Sequence, residues 1–219
     1  MTQCVVERLR PEAGDRVLDL GCGTGLYSRG LAERAGTVVC ADPSPAMLAQ
    51  LPADERLVPL CAGAEDLVEG RVRLPHDGYD GVLLKEVIHH VADPSRVLSG
   101  LARFLRPGGR ILVVMLPTII DYPLFDAALK LFQERQPDPE RIAAALGDSG
   151  LAAELTFDEF PLTFSLERYA GMVRNRYMSL LSSFDDAEIE AGIAEIRDRH
   201  PGPELSFPDR FAFVLGVKG

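Results

Sequence analysis

The sequence predicts an α/β protein with a doubly wound, Rossmann-like parallel sheet and helices on both of its faces. In the first half of the chain, apolar runs of strand length alternate with segments of helical periodicity, which is the pattern of repeated βαβ units. The first of these strands ends in a glycine-rich turn, "VLDLGCGTG", that leads directly into a helix. Ligands of such sheets bind at the carboxyl ends of the strands, so we expect the functional residues at that edge.

Short local signals predict the elements of the first half. The helix that begins at Pro45 has proline in its first turn and Ser44 in position to cap it. The helix that begins at Pro94 ends at "RPGG", where glycine can adopt the backbone conformation of a helix end. The predicted strands are Arg16–Leu20, Thr37–Ala41, Arg56–Ala62, Tyr79–Lys85 and Arg110–Leu116, and the predicted helices are Leu26–Arg34, Pro45–Leu51 and Pro94–Leu105.

The second half is richer in helices. Asp185 and Glu188 have the spacing of a capping box, which predicts that a helix begins there. The aromatic segment Leu155–Phe164 and the closing segment Arg210–Val217 are predicted as strands. No long linker divides the chain, so we expect a single domain over residues 1–219. The predicted helices are Tyr122–Glu134, Pro139–Leu146, Leu166–Arg176 and Asp185–Arg199.

The composition is that of an ordinary globular protein, with 47% hydrophobic and 26% charged residues. The net charge is −10 and the chain has no run of lysine and arginine, which disfavours a nucleic-acid partner. The longest apolar run, Ile111 to Ile120, is interrupted by Pro117 and is too short to cross a bilayer. The first residues do not resemble a secretory signal. We therefore expect a protein that binds neither nucleic acid nor membrane.

The four cysteines favour a cytoplasmic protein. Cys4, Cys22, Cys40 and Cys61 include no pair with the spacing of a zinc site. We expect four reduced thiols, as is usual in the cytoplasm, and no metal.

The glycine turn does not match the fingerprint of dinucleotide-binding proteins. That fingerprint is G-x-G-x-x-G, but counting from Gly21 or from Gly23 the third glycine is replaced by Leu26 or Ser28. Asp19, at the end of the strand, would repel a pyrophosphate and attract a cation, so a ligand such as S-adenosylmethionine fits better. The simpler alternative is that Asp19 caps the turn through backbone amides. A nicotinamide-dependent dehydrogenase is disfavoured on both grounds.

Asp42 ends the second strand and is the second acidic candidate. An acid about 20 residues after the glycine turn reaches the ribose hydroxyls of a nucleotide in this architecture. Asp42 could instead cap the following helix, although Ser44 already offers that role. Met47 could lie against an adenine ring through its polarizable sulfur, or it could be a core residue at helical spacing.

Five successive motifs resemble those of class I S-adenosylmethionine-dependent methyltransferases of the small-molecule type. They are "VLDLGCGTG", "ADPSPAML", "AEDL", "YDGVLLKEVIHHV" and "LRPGGRILVV". The resemblance implies a seven-stranded sheet in the order 3-2-1-4-5-7-6. Its last strand, antiparallel, would be Arg210–Val217 in a hairpin with Leu155–Phe164. The resemblance also implies that residues 15–116 bind S-adenosylmethionine and that residues 117–219 form the substrate roof and the closing hairpin.

Carried over by position, the resemblance assigns the glycine turn to the methionine end of the cofactor, Asp42 to the ribose and Met47 to the adenine. Together with their neighbours at the strand ends, these positions make up the predicted cofactor site. The predicted cofactor-binding residues are Asp19, Gly21, Cys22, Gly23, Asp42, Pro43, Met47, Ala64, Glu65 and Lys85.

Two departures from the family pattern affect this site. The segment after the third strand, usually Gly-Asp-Ala-Glu, is Ala62 to Glu65 here, so the aspartate that contacts the adenine amino group is missing. We expect the backbone amide of Ala64, or the carboxylate of Glu65 or Asp66, to replace it. The segment before the first strand is also short, so either the site is more open or Leu9 and its neighbours form a minimal cap.

Candidate catalytic residues follow the fourth strand, in "LLKEVIHHV". Lys85, Glu86, His89 and His90 lie where this strand ends and a short helix is expected. The pKa of histidine suits proton removal near neutrality, although either histidine could be a core residue and some acceptors need only alignment. Adjacent helical residues point about 100° apart. We therefore expect one histidine to face the substrate and the other to pack inward.

Asp121, after the fifth strand, is the third catalytic candidate. It could orient a histidine or bind a substrate amine, or it could cap the following helix. The helix Leu166–Arg176 mixes aromatic and cationic side chains. That mixture suits an aromatic or anionic substrate group, but it is also ordinary in a packed amphipathic helix.

The sequence thus predicts methyl transfer to a small molecule of secondary metabolism, at oxygen, nitrogen or carbon, by a monomer or homodimer. Two alternatives keep the same fold. One is a binding protein that no longer transfers methyl groups, and the other is an enzyme, such as a cyclase, that uses S-adenosylmethionine differently. The intact glycine turn with Asp19 and Asp42 argues against the first alternative.

Overall fold

The computed structural model describes all 219 residues and consists of seven strands and nine α-helices joined by short connections. Two 3₁₀ turns, Ile88–His90 and Ser179–Ser183, complete the regular structure. The strands are β1 (Arg16–Leu20), β2 (Thr37–Asp42), β3 (Leu57–Cys61), β4 (Tyr79–Lys85), β5 (Leu105–Met115), β6 (Leu151–Ser165) and β7 (Glu204–Lys218). The helices are α1 (Thr2–Leu9), α2 (Leu26–Ala32), α3 (Pro45–Leu48), α4 (Ala64–Val68), α5 (Pro94–Phe104), α6 (Asp126–Arg135), α7 (Pro139–Asp148), α8 (Leu166–Arg174) and α9 (Asp186–Arg199).

All seven strands form one sheet in the order β3-β2-β1-β4-β5-β7-β6. β1 pairs in parallel with β2 and β4, β2 with β3, and β4 with β5. β7 runs antiparallel to β5, with Ala212 opposite Met115. The predicted strand order and the antiparallel last strand are therefore confirmed. The central strands are covered on both faces, as parallel strands require, and Leu18, Val39 and Leu84 are each 0% exposed.

The chain divides into two compact units. The sheet unit comprises Met1–Met115, Pro137–Thr156 and Ala212–Gly219, and the second unit comprises Leu116–Gln136 and Phe157–Phe211. The predicted cofactor-binding half, residues 15–116, falls almost wholly in the sheet unit, while the prediction of a single domain stays a prediction. Within the second unit, α9 begins at the expected capping box. No helix in the chain combines enough length and apolar character to cross a bilayer.

The largest difference from the predicted elements is at β5. This strand begins at Leu105, because the chain becomes extended directly after the last residue of α5. Tyr79 pairs with Leu105 but Gly81 pairs with Arg110, so the "RPGG" segment forms an irregularity within the strand. Gly108, at φ +78°, allows the backbone to make this irregular turn. The helix ends directly before "RPGG" as predicted, but the predicted strand start at Arg110 was wrong.

Other boundaries also differ. α6 begins at Asp126 rather than at Tyr122, because Pro123 disfavours a helical conformation in the residue before it. The short helix α4 was not predicted, and α2 and α3 end earlier than predicted. β6 and β7 each extend over 15 residues and begin before the predicted strands. Leu9 of α1 packs near Gly81, on β4, and does not line the candidate cofactor site described below.

Candidate active site

The glycine turn between β1 and α2 is anchored on the carboxyl end of β2. The backbone amides of Gly21 and Cys22 both donate to the carbonyl oxygen of Ala41, at 2.7 and 3.1 Å. Gly21 has a φ of +72°, and a Cβ atom at this position would lie 2.2 Å from Cγ2 of Val87. Residue 21 therefore has to be glycine for two reasons, the backbone conformation and the close approach of the segment that follows β4.

Asp19 is a buried carboxylate at the end of β1. It is 2% exposed, and its Oδ2 accepts a hydrogen bond of 2.5 Å from Oγ of Ser28, which is buried in α2. Burial raises the pKa of Asp19 to about 6; the hydrogen bond from Ser28 opposes this rise, and the negative charge of Asp42 adds to it. A positive charge placed nearby would lower the pKa again and stabilise the ionised form. The environment of Asp19 is thus one that favours a cationic ligand.

Asp42, at the end of β2, connects two loops. Its Oδ2 accepts a hydrogen bond from the amide of Gly23, and its Oδ1 accepts one from the amide of Ser44, each at 2.9 Å. The side chain is nearly buried, at 8% exposed. A carboxylate offers about four acceptor positions. These two bonds leave acceptor positions for the hydroxyl groups of a ligand.

A cavity of about 360 Å³ lies in the sheet unit, at the carboxyl ends of the central strands. This volume is within the usual range for small-molecule sites. The cavity brings together residues from the glycine turn, the end of β2, the start of α4 and the turn after β4. Among the predicted site residues, its lining includes Gly21, Asp42, Pro43, Ala64, Glu65 and His90.

Seven predicted site residues do not line this cavity: Asp19, Cys22, Gly23, Met47, Lys85, His89 and Asp121. Met47 is 42% exposed, so it is not the core residue that was the alternative for it. Cys22 is buried, and a hydrogen bond with the thiol of Cys40 together with burial raises the pKa of Cys22. Nζ of Lys85 lies 5.8 Å from the ring centroid of Tyr27. Their predicted roles at the cofactor stay predictions.

The two acids expected to replace the missing adenine-binding aspartate behave differently. Asp66 accepts a hydrogen bond from the amide of Gly63 at 3.0 Å and pairs with Arg71 at 2.7 Å, so it caps α4. Oε1 of Glu65 accepts a bond of 3.2 Å from the amide of Ala92, and Glu65 lines the cavity. Of the two acids, only Glu65 is positioned to contact a ligand there.

The turn after β4 carries the candidate catalytic residues. Glu86 has a φ of +55°, a left-handed conformation that is strained for a residue other than glycine, and its amide donates to Val114 at 2.8 Å. The rings of His89 and His90 lie 4.0 Å apart, and His90 lines the cavity. The segment is a single 3₁₀ turn rather than the expected short helix, and the assignment of one histidine to the substrate and the other to the interior stays a prediction.

The two histidines differ in environment. Nδ1 of His89 is buried without a hydrogen-bond partner, whereas His90 is exposed. Burial, with the nearby His90 and Lys85, lowers the pKa of His89 to about 4. His89 is therefore uncharged near neutrality.

Asp121 belongs to the second unit, where it is exposed and lines a separate cavity. The cationic side chains predicted on the helix Leu166–Arg176 are already paired within this unit. Arg174 binds Glu190 at 2.5 Å, and Arg176 binds Asp186 at 2.7 Å. These arginines are therefore engaged by acids of the protein itself.

Sequence reasoning missed several contributors to the site. Leu20, Val87 and Val91 line the cavity and lie within the motifs quoted above. They were missed because an apolar side chain gives no chemical signal of its own. Gly63 lines the cavity and Ser28 binds Asp19. Glu86 was noted after the fourth strand, but its cavity position was not predicted.

The residues present fit S-adenosylmethionine. Glycine at residue 21 lets the turn pack against Val87, and both residues line the cavity. Asp42 offers carboxylate acceptors to a ribose diol, and buried Asp19 favours a cation. The donors and acceptors at this edge therefore match the chemical groups of this cofactor.

Comparison with known proteins supports the same conclusion. A family model described as a methyltransferase domain matches residues 18–113. An uncharacterized methyltransferase of Mycobacterium tuberculosis is 42% identical over 107 residues, which are 48% of this chain and 42% of the relative. A ubiquinone biosynthesis O-methyltransferase of Rhizobium etli is 34% identical over 166 residues, which are 65% of this chain and 62% of the relative. The chain spans less than two thirds of the length of either relative.

A solved structure shares the fold. The YcgJ protein of Bacillus subtilis matches 99% of this chain and 97% of its own chain, with a TM-score of 0.69 and 18% identity. The matched methyltransferase domain includes the end of β1, β2 to β4 and most of β5, and thus the glycine turn, Asp42 and the turn after β4. The motifs, the strand order and these comparisons agree: residues 18–113 belong to a class I S-adenosylmethionine-dependent methyltransferase domain, and S-adenosylmethionine is its cofactor.

Proposed function

We propose that this protein transfers the methyl group of S-adenosylmethionine to a small molecule of secondary metabolism, at an oxygen, nitrogen or carbon atom. The observation that supports this best is that one cavity is lined both by Asp42, a carboxylate suited to the ribose, and by His90, a proton acceptor. Cofactor binding and proton removal can therefore take place in the same space.

The roles at the cofactor follow from the environment of each acid. When bound, S-adenosylmethionine supplies an electrophilic methyl group on a positively charged sulfur. Asp42 binds the ribose hydroxyls with the acceptor positions that Gly23 and Ser44 leave open. Asp19 stabilises the cationic end of the cofactor, and Glu65 with the amide of Ala64 receives the adenine.

His90 serves as the base for acceptors that must lose a proton. It is exposed and lines the cavity, so an acceptor can reach it. His89 packs against it and is uncharged near neutrality, so His89 adds no positive charge beside the base. Positioned general bases of this kind contribute about 10²–10⁴-fold to a rate.

The net charge of the chain and the name of one relative support the choice of acceptor. A net charge of −10 favours a small molecule over a nucleic acid. The Rhizobium etli relative is named for O-methylation, which supports oxygen as one possible acceptor atom, but its match covers only part of each chain. The four free cysteines support a cytoplasmic location, and the proposed state is a monomer or homodimer.

Product mass tests the proposal. The protein is incubated with S-adenosylmethionine and a panel of phenols, amines and activated methylene compounds, and S-adenosylhomocysteine and product masses are measured. Methyl transfer adds one methyl group to the acceptor and forms S-adenosylhomocysteine in equal amount. A cyclase would give a product of unchanged mass without consuming the cofactor, and a silent binding protein would bind S-adenosylhomocysteine without turnover. Asp42→Asn is the inactive control, and Asp77→Asn, at a fully exposed side chain, is the surface control.

A further inference from the structure

The second unit contains a cavity of its own, with a volume of about 480 Å³. It is formed by the chain that follows β5, by α6 and by the connection from α9 to β7. A volume of this size can enclose most of a small organic molecule.

The inner part of this cavity is apolar. Leu124 and Leu205 are 1% and 3% exposed, so both are fixed by the packing of the unit. Leu129 and Pro123 add to the apolar lining. An occupant therefore needs a hydrocarbon body.

One wall of the cavity is aromatic. The ring centroids of Tyr122 and Phe207 are 5.3 Å apart, with the rings tilted by 57°. The hydroxyl of Tyr122 donates to the carboxylate of Asp209, and Phe207 packs on buried Tyr169 with centroids 5.6 Å apart. These contacts hold both rings in place, and aromatic faces attract cations.

The polar part of the lining has an excess of negative charge. Asp121 and Glu204 are exposed carboxylates of the lining. The guanidinium of Arg199 is also present, but it forms ion pairs with two acids of α6 and α9 that are not part of the lining. His200 contributes an imidazole. Because the charge of Arg199 is compensated from outside the cavity, a cationic group is favoured inside it.

We propose that this cavity binds an apolar small molecule carrying a positively charged amine or quaternary ammonium group. The carboxylates of Asp121 and Glu204 bind the charged group. The rings of Tyr122 and Phe207 pack against its alkyl substituents. The inference goes beyond the proposed methyl transfer and does not depend on it. An acidic ligand is disfavoured by the same two carboxylates.

Three probes of similar shape test the charge preference: cationic 2-phenylethylamine, neutral 2-phenylethanol and anionic 3-phenylpropionate. Each is titrated into the full chain carrying ¹³C-labelled leucine methyl groups, without cofactor. The amine is expected to bind at least about tenfold more tightly than the other two, as for a charge-assisted contact. It should shift the methyl resonances of Leu124, Leu129 and Leu205. Equal binding of amine and alcohol, tighter binding of the acid, or shifts confined to other leucines would overturn the inference.

Neutral variants test which carboxylates cause the preference for a cationic ligand. Asp121→Asn and Glu204→Gln keep the side-chain shape, and each should remove most of the preference for the amine over the alcohol. Glu134→Gln, at an exposed position of α6 outside the lining, is the matched control and should leave the preference unchanged. An unchanged preference in both cavity variants would contradict the inference.

The two proposals fail separately. If S-adenosylhomocysteine binds and methyl transfer occurs but the amine has no preference, the inference about this cavity is wrong and the proposed function stands. If the amine binds as expected but no acceptor of any class is methylated, the proposed function is wrong.

Discussion

Replacing Asp19 by asparagine tests whether the buried carboxylate lowers the stability of the free protein. The pKa of Asp19 is about 6 in the folded chain, against an ordinary value of 3.8, chiefly because the side chain is buried. Between these two values the folded state holds its proton more tightly than the unfolded state does. The contribution of Asp19 to stability is therefore fully present below pH 3.8 and is lost as the pH rises through 6. The difference between the two pKa values corresponds to about 3 kcal/mol at pH 7.

Asparagine carries no charge at any of these pH values, and its amide oxygen can still accept the hydrogen bond from Ser28. The free energy of unfolding of Asp19→Asn relative to the native chain should therefore rise by about 2 kcal/mol between pH 4 and pH 7. Urea unfolding at pH 4, 5, 6 and 7, without cofactor, measures this difference. Asp77→Asn, at a fully exposed side chain, is the control and should show no such dependence.

The same variant should bind S-adenosylmethionine at least about tenfold more weakly, because its cationic end loses a carboxylate partner. Calorimetry at pH 7 measures this change. A stability difference that stays constant from pH 4 to pH 7 would refute the reasoning about the buried charge. An unchanged affinity in the folded variant would remove Asp19 from the cofactor site.

Four other substitutions have expected outcomes. Gly21→Ala should abolish cofactor binding and lower the free energy of unfolding by more than about 1 kcal/mol. Gly70→Ala, at a similar φ of +73° but in open space, is the control for backbone strain alone in the same calorimetric and urea measurements. Asp42→Ala should weaken cofactor binding by about 1–3 kcal/mol, and unchanged calorimetric affinity would exclude a ribose contact. His90→Ala should lower turnover by about 10²–10⁴-fold and His89→Ala by much less. A base at His89 would instead put the acid limb of the pH–rate profile near pH 4, and full rates in both variants would mean that alignment suffices.

The strand order was predicted from the family resemblance, whereas the alternation of strands and helices and the edge that carries the site follow from local signals in the sequence. The glycine turn and Asp42 each follow a short apolar run, so their meeting at one edge follows from parallel strands alone. α4 was missed because its five residues are too few to show helical periodicity. The start of β5 was misplaced because a bulge, which depends on pairing with β4, is not visible in the segment itself.

The site was predictable only where a residue type carries chemical information. Asp42 was expected at the cavity because a carboxylate at that distance from a glycine turn has a specific use. The contact between Gly21 and Val87, by contrast, joins residues 66 positions apart and depends on how two turns pack. The contact between the tilted rings of His89 and His90 follows a left-handed Glu86, which residue spacing alone does not indicate.

The two amide bonds to Asp42 have a consequence for the kinetics and heat of binding. Because the turn at Gly23 and the loop at Ser44 are already joined through one side chain, little backbone freedom is left to lose when a ligand arrives. The cofactor should then bind at this edge as to a rigid surface. Its association rate should be high, and the heat-capacity change on binding should be small for the size of the ligand. The amide hydrogens of residues 23 and 44 should exchange slowly with solvent even in the free protein, because local opening there requires both loops to separate at once.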